Sequence, residues 1–410
     1  MQKKQPITRF AFFLSASAVA ATTLFSSCSK DSVLPGSPSD VSQSSEVNAE
    51  SDVIPGKYIV VLKEEAVTVA ANDSYTEKVR KVKEVGQGIL RSRGARAENL
   101  GFAYGHALKG FSAAMTAAEA NALRADARVA YVEQDRIISL GKPVKGGGTT
   151  TTQPAQTVPY GINRVGTADG TGKTAWVIDS GIDLDHPDLN VNVTRSKSFL
   201  TSGTNYASAD DGNGHGTHVA GTIAARNNTI GVVGVAANAT VVAVRVLDAN
   251  GSGTSSGVIA GVDYVGANGR IGDVANMSLG GGASQAIDDA VLRASAGGIL
   301  FALAAGNNSG DSNLNSPARV NGANIFTISA MNSTDGWASF SNFGNPPIDY
   351  CMPGVSIQST WLNGGYNTIS GTSMATPHMA GVLLLKGKAF TTSGTVQGDP
   401  DGNADPIAHL

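Results

Sequence analysis

From residue 154 onward, apolar runs alternate with stretches of helical spacing. Short apolar runs at 174–179, 240–247, 273–278, 299–304 and 324–330 predict strands. Apolar residues recurring every third or fourth position at 215–226, 254–267, 284–297 and 372–386 predict helices. A strand that is apolar throughout needs cover on both faces, and helices between such strands supply it. The pattern therefore predicts an α/β fold with a mostly parallel, doubly wound sheet. Ligands bind such sheets beyond the carboxyl ends of the strands. Asp179 ends one of these strands and Asn307 falls just past another, and His215 and Ser373 open helices on that side.

The chain before this region is patterned differently. Residues 57–63 read as a strand, 74–93 as a charged helix, 97–104 and 109–115 as a strand pair, and 129–135 as a closing strand. Thr116 and Glu119 form a capping box that opens a short helix. The order βαββαβ makes 53–140 a small ferredoxin-like α+β unit. Residues 141–153 are a Gly- and Thr-rich link of low complexity. Residues 29–52, rich in Ser, Asp, Pro and Val, have little to bury and predict a flexible linker. Lys3, Lys4 and Arg9 precede an apolar run at 10–24 that is too short for a comfortable membrane span, so 1–28 predict an export signal. Past Gly387 the helical signal stops. The main domain is then 154–390, and 391–410 read as an acidic, turn-rich, solvated tail.

Composition narrows this picture. Only 6% aromatic residues and 50 Gly fit a small-residue core with many tight turns. A net charge of −3 gives no attraction to nucleic acid. Cys28 lies in the export segment, so Cys351 stands alone in the main domain, where no disulfide framework can form. It reads as a small buried hydrophobe.

Three segments carry chemistry. Trp-Val-Ile-Asp-Ser-Gly (176–181) ends an apolar strand in the Asp179 carboxylate. Gly-His-Gly-Thr-His (214–218) opens a helix with His215. Gly-Thr-Ser-Met-Ala-Thr-Pro-His (371–378) sets Ser373 at a helix start, where unpaired N–H groups and the helix dipole favour negative charge. Taken singly, each has an ordinary reading as a turn or an N-cap. Together, in the order Asp…His…Ser, they supply an orienting carboxylate, a proton shuttle and a nucleophile. With the flanks Asp-Gly-Asn-Gly-His-Gly-Thr-His (211–218), Leu-Asp-Ala-Asn-Gly-Ser-Gly (247–253), Ser-Leu-Gly-Gly-Gly (278–282) and Ala-Ala-Gly-Asn-Asn (304–308), they resemble the subtilisin-like serine proteases, most of all the proteinase K branch. The resemblance runs from about residue 154 to about 386. Residues 54–62 and 129–135 resemble the inhibitory propeptide that precedes such proteases.

The resemblance implies a secreted serine endopeptidase, matured by autocatalytic cutting within 141–153. It implies Ser373 as nucleophile, His215 as base, Asp179 as orienting carboxylate and Asn307 as oxyanion-hole side chain. Ser278, Leu279 and Gly280, with Ala304, Ala305 and Gly306, match the walls of the primary specificity pocket. Gly251, Ser252 and Gly253 match the edge that pairs with extended substrate. None of these segments holds a charge, so broad preference for apolar or aromatic residues before the cut bond is expected. No catalytic cofactor is implied. A structural calcium would take the Ala323 and Ile325 carbonyls and the Asp349 carboxylate, with Ala323 standing where the family has Pro. Val219 stands where proteinase K has a Cys behind its catalytic His. His218 lies three residues after His215, but no His-Glu-x-x-His motif accompanies it, so His218, His186 and His378 read as structural.

Leu24-Phe25-Ser26-Ser27-Cys28 resembles a bacterial lipobox, with Phe25 in the usual place of Leu. That implies a lipidated Cys28 and a cell-envelope lipoprotein; an ordinary signal implies an extracellular enzyme. Expected partners are protein and peptide substrates and the chain's own propeptide as an intramolecular inhibitor, on a monomer. The competing reading is a catalytically silent, surface-tethered peptide-binding lipoprotein on the same fold.

Overall fold

The main sheet lines up the strands Thr391–Thr395, Pro406–His409, Ile348–Pro353, Ile325–Met331, Leu300–Ala304, Val274–Met277, Thr174–Asp179, Thr240–Arg245 and Asn190–Val191, with Lys197–Ser198 also on the strand Thr240–Arg245. This computed structural model describes residues 52–70, 72–141, 144–145 and 153–410; the expected export segment with Cys28, most of the first linker and most of 141–153 lie outside them. The sheet is parallel from Pro406–His409 to Thr240–Arg245, and Val244 lies beside Ile178.

Its strands are apolar throughout because both faces are covered. Ala175 and Val177 pack beneath Ala220 and Ile223 of the helix His215–Ala224 and Met379 and Val382 of the helix Thr372–Lys386. Trp176 and Ile178 face the other way, toward Ile259 and Val262 of the helix Ser255–Asn268 and Ile287 and Val291 of Gln285–Ala296. The α/β expectation thus matches this doubly covered parallel sheet.

Residues 53–139 form the α+β unit. Its antiparallel strands run in the order Val129–Ser139, Val53–Leu62, Gly110–Ala114, Leu100–Tyr104. The helix Ala117–Arg124 opens on the capping box: Thr116 Oγ1 accepts from the Glu119 N–H at 3.2 Å, and the Glu119 carboxylate accepts from the Thr116 N–H at 2.7 Å. Tyr58, Val60 and Leu62 face the unit's own helices, meeting Val82, Ile89, Leu90 and Leu123. Ile59 and Val61 point away and join the cluster under Ser255–Asn268 and Gln285–Ala296.

Two features depart from the pattern. The closing strand runs on to Ser139 and leaves its own sheet to pair with Ser252–Thr254. The expected solvated tail instead completes the main sheet: Ile407 pairs with Cys351 and packs with Met331 and Val396, and Asp405 is buried. Asp405 accepts from the Ser329 hydroxyl and the Asn345 amide. Single apolar residues set among Asp, Gly and Asn leave too little periodicity to announce this edge.

Candidate active site

The strand Thr174–Asp179 ends at a fully buried Asp179, whose Oδ1 accepts the Ser180 N–H at 2.7 Å. His215 is the first residue of the helix His215–Ala224. Gly214 before it has φ +103°, and a Cβ there would come within 2.4 Å of the Trp361 ring, so only Gly fits. His215 Nδ1 lies 2.8 and 3.0 Å from the two Asp179 carboxylate oxygens, and both side chains are shielded from water.

Asp211 secures this pair. Its carboxylate accepts from the Ser180 hydroxyl at 2.9 Å, the Gly214 N–H at 3.0 Å, and the Thr217 N–H and hydroxyl at 3.0 and 2.7 Å. The loop carrying His215 is thereby tied to the strand end carrying Asp179. Asp211 was not singled out from the sequence; its signal is an Asp three residues ahead of Gly214, placed to satisfy first-turn N–H groups.

Ser373 is the second residue of the helix Thr372–Lys386 and is buried. Pro377, four residues on, has no N–H, so the Ser373 carbonyl loses its helical partner. The Ser278 hydroxyl takes that place, donating to the Ser373 carbonyl at 2.9 Å, while the Asn276 amide donates to Ser278 Oγ at 2.9 Å. The Ser373 hydroxyl in turn donates to the Ser278 carbonyl at 3.1 Å. Asn307 follows the strand Leu300–Ala304, and its Oδ1 accepts from the Thr372 N–H at 2.8 Å and the Thr372 hydroxyl at 2.9 Å. With the oxygen so occupied, the amide NH₂ faces the cleft, where a Cβ on Gly141 would sit 2.6 Å from Nδ2. The contacts that run from Asn276 through Ser278 to Ser373, and those of Thr372 with Asn307, escaped sequence reading because they join separate segments, whereas Pro377 acts within its own helix.

The chain's own upstream segment lies across the cleft. Ile137, Ile138 and Ser139 pair antiparallel with Thr254, Gly253 and Ser252, and the Leu140 N–H donates to the Gly251 carbonyl at 3.0 Å. On the other edge Ser139 and Gly280 exchange hydrogen bonds of 3.1 and 3.3 Å. Gly251, Ser252, Gly253 and Gly280 therefore gather around one extended segment. Leu279, Ala304 and Ala305 are buried, and Gly306, at φ +111°, faces Asn342.

The three histidines expected to be structural meet backbone carbonyls. His218 Nε2 meets the Ile357 carbonyl at 3.0 Å, His378 Nδ1 that of Met374 at 2.8 Å, and His186 Nε2 that of Gly365 at 3.0 Å. Burial lowers His218 to about 3 and His378 to about 4, so both stay neutral. Burial also pushes the Cys351 thiol well above its usual range. Asp349 accepts one N–H bond, from Thr327 at 2.8 Å, and burial pushes its carboxyl up to about 6.

Comparison with known proteins follows the same division of the chain. A sequence model described as "Subtilase family" matches residues 170–395, and one described as "Peptidase inhibitor I9" matches 57–141. "Alkaline serine exoprotease A" of Vibrio alginolyticus is 39% identical over 378 residues, covering 87% of this chain and 68% of that one. "Extracellular serine proteinase" of Thermus sp. (strain Rt41A) is 42% identical over 343 residues, covering 82% and 80%. "Proteinase R" of Parengyodontium album is 35% identical over 356 residues, covering 85% and 84%. The solved structure titled "Crystal structure of a cold adapted subtilisin-like serine proteinase" shares 40% identity and a TM-score of 0.55, covering 61% of this chain and 97% of that one.

Proposed function

The chain belongs to the subtilase family, on its proteinase K-like branch, and is a serine protease with an I9-type propeptide; we propose that it acts as a secreted endopeptidase through Asp179, His215 and Ser373. What supports this reading is the buried His215–Asp179 pair at 2.8 Å, with Ser373 at a helix start and an extended segment paired along 252–254.

The reaction requires the Ser373 hydroxyl to exchange its bond to the Ser278 carbonyl for one to His215. His215 takes the proton as Ser373 Oγ attacks the substrate carbonyl, then passes it to the leaving amine. Asp179 holds the tautomer that keeps Nδ1–H toward itself and stabilises the imidazolium without being protonated. The Asn307 NH₂ and the Ser373 N–H receive the oxyanion, and the anchored Asn307 oxygen keeps that donor aimed before reaction. Water then cleaves the acyl-enzyme. The uncharged walls formed by Ser278, Leu279, Gly280, Ala304, Ala305 and Gly306 support broad preference for apolar or aromatic residues before the cut bond.

The Asp349 region fits a calcium ion in donor chemistry. Among the described residues no ion pair forms to Asp349, whose carboxylate accepts the Thr327 N–H at 2.8 Å. The Asn324 carbonyl is taken by the Phe301 N–H, and alternation turns that of Ile325 toward the strand bearing Asp349. No cluster of three acidic, His or Cys side chains gathers among the described residues, so backbone carbonyls such as those of Ala323 and Ile325 would complete the set. Chelation should lower the melting temperature of the wild type and leave Asp349→Ala unchanged.

The enzyme works as a monomer on protein and peptide substrates, with its propeptide as inhibitor. Its exported form ends either in free release or in attachment through a lipidated Cys28; intact mass of the exported protein separates the two. Fluorophosphonate labelling followed by peptide mapping tests the catalytic reading. Label on Ser373, in protein that has lost its propeptide, is expected. Absence of label on protein freed of its propeptide would favour a silent peptide-binding lipoprotein.

A further inference from the structure

The strand Val129–Ser139 does more than block the cleft: it sets a register that can be counted forward to the nucleophile. Ser139 and Gly280 face each other as an antiparallel pair that exchanges both hydrogen bonds. In antiparallel pairing, two residues forward on one strand lie opposite two residues back on the other. Gly141 therefore falls opposite Ser278, the residue whose carbonyl accepts the Ser373 hydroxyl at 3.1 Å. Leu140 is pinned independently by its N–H bond to the Gly251 carbonyl. The Asn307 amide is the third mark, since a Cβ on Gly141 would lie 2.6 Å from its Nδ2.

A fourth mark comes from the far side of the site. The short strand Val144–Lys145 pairs antiparallel with Gly365–Ser370, Val144 opposite Ser370 and Lys145 opposite Ile369. Ser370 stands three residues before Ser373. The chain is thus held in strand pairing up to Leu140 on one flank of the nucleophile and from Val144 on the other. Of the peptide bonds between these flanks, the one after Gly141 is the one the upstream register sets at Ser373. The bond after Lys142 has a proline nitrogen, which lacks the N–H and secondary-amide character of an ordinary leaving group.

We propose that the chain cuts itself between Gly141 and Lys142, at a bond chosen by the pairing of 137–140 and not by a side chain at the cut itself. This rests on Ser373 being the nucleophile, as proposed above. In the step, Ser373 Oγ bonds to the Gly141 carbonyl carbon and its proton passes through His215 to the Lys142 nitrogen, which leaves as an amine when the C–N bond breaks. Water then attacks the Gly141 ester, releasing a propeptide with a Gly141 carboxylate and restoring the Ser373 hydroxyl. Gly141 offers no side chain to a specificity pocket. The anchors are Ile138, fully buried beside Leu279 and the backbone of Gly281, and Leu140 against Gly251. Self-processing is therefore governed by the residues two and four before the bond.

The test is the C-terminus of the released propeptide, which is not blurred by later trimming of the mature N-terminus. The full precursor is refolded, quenched in acid early in processing, and the fragments are weighed. A propeptide ending at Gly141, absent from Ser373→Ala, is expected. A Ser373-dependent cut at any other bond overturns the assignment while leaving self-processing intact. Equal cutting of wild type and Ser373→Ala overturns self-processing itself, and the assignment with it. A second precursor, with one alanine inserted after Gly141, tests the counting: the propeptide should keep its mass and the mature chain gain the residue. A propeptide one residue longer would show that the downstream pairing sets the bond, and would overturn the register argument.

Discussion

The two sheets of this chain bury their faces in different ways. Each strand of the main sheet is covered on both sides by helices of its own domain, so Ala175 and Val177 enter one core and Trp176 and Ile178 another. The propeptide sheet has its own cover on one face only. Its other face, with Ile59, Val61 and Tyr104, is completed by the protease helices Ser255–Asn268 and Gln285–Ala296. Polar contacts fix the seating. Asp135 accepts from the Ser256 N–H at 3.0 Å and from its hydroxyl, and Glu133 accepts from the Ser284 hydroxyl, so each caps the start of a protease helix, where the dipole favours an anion. Asp263 reaches the other way and accepts the N–H groups of Gly105, His106 and Ala107 at 2.9, 2.8 and 2.6 Å. One unit carries a complete core; the other is complete only while docked, which suits a part that must later leave.

The strongest way to hold the two regions together is to remove the proposed nucleophile. Ser373→Ala should lose about 10⁶ in turnover, the magnitude known for the corresponding loss in subtilisin, and should keep residues 53–141 joined to the protease on a denaturing gel. Asn307→Ala should cost about 10²–10³. Because the Asn307 amide faces Gly141, its loss should slow the parting of the regions and peptide hydrolysis by similar factors, measured as precursor half-life and as kcat on a peptide. A large loss of kcat with normal maturation would show that the two events use different oxyanion donors.

Asp263→Ala addresses docking without touching the chemistry. It strands three propeptide N–H groups against a protease helix, at a cost of about 1–3 kcal/mol, roughly fivefold to 150-fold in affinity. The nicked propeptide should dissociate faster by that factor, while kcat of the freed enzyme stays unchanged. Unchanged dissociation would mean that apolar burial alone holds the propeptide.

What the sequence made legible was local. The five strands with continuous apolar runs, the capping box at Thr116 and Glu119, and the helix-opening positions of His215 and Ser373 all follow from residues within a turn or two of each other. What stayed hidden depends on distant partners. Asp211 matters because it joins Ser180 to Thr217, and Pro377 because it frees a carbonyl for Ser278. The strand Ile348–Pro353, the hairpin Ile357–Trp361 with Gly365–Ser370, and the tail strand Pro406–His409 mix polar with apolar residues, so their places come from pairing, not from periodicity. The course of 137–140 through the cleft is of the same kind, since an alternating strand is indifferent to which edge it joins.

The smallest expected effect on the docked pair is that of pH, and its sign follows from burial. Docking raises the carboxyls of Glu133, Asp135 and Asp263, chiefly through desolvation. Asp288 adds to the rise at Glu133, while Lys57 opposes it at Asp135. Once the regions part, these groups meet water and return toward the ordinary range near about 4. At these three carboxyls the docked state therefore binds more protons than the parted one, whereas the Glu64 carboxyl, where hydrogen bonds including that from Arg293 across the interface outweigh burial, is lowered and opposes them. The docked advantage from the three is full below the ordinary carboxylate range and is lost as pH rises through the elevated docked values. Acid should slow dissociation of the nicked complex and neutral pH should speed it. His106 works against this, because burial of its ring in the docked state lowers its pKa, so protonation favours parting. Dissociation rates of the nicked complex from mildly acidic to neutral pH, compared between wild type and His106→Gln, separate the contributions: the variant should show the steeper acid tightening. If dissociation instead quickens in acid even in His106→Gln, the carboxylates do not carry the charge cost of docking, and the apolar face shared with Ser255–Asn268 and Gln285–Ala296 must account for the seating on its own.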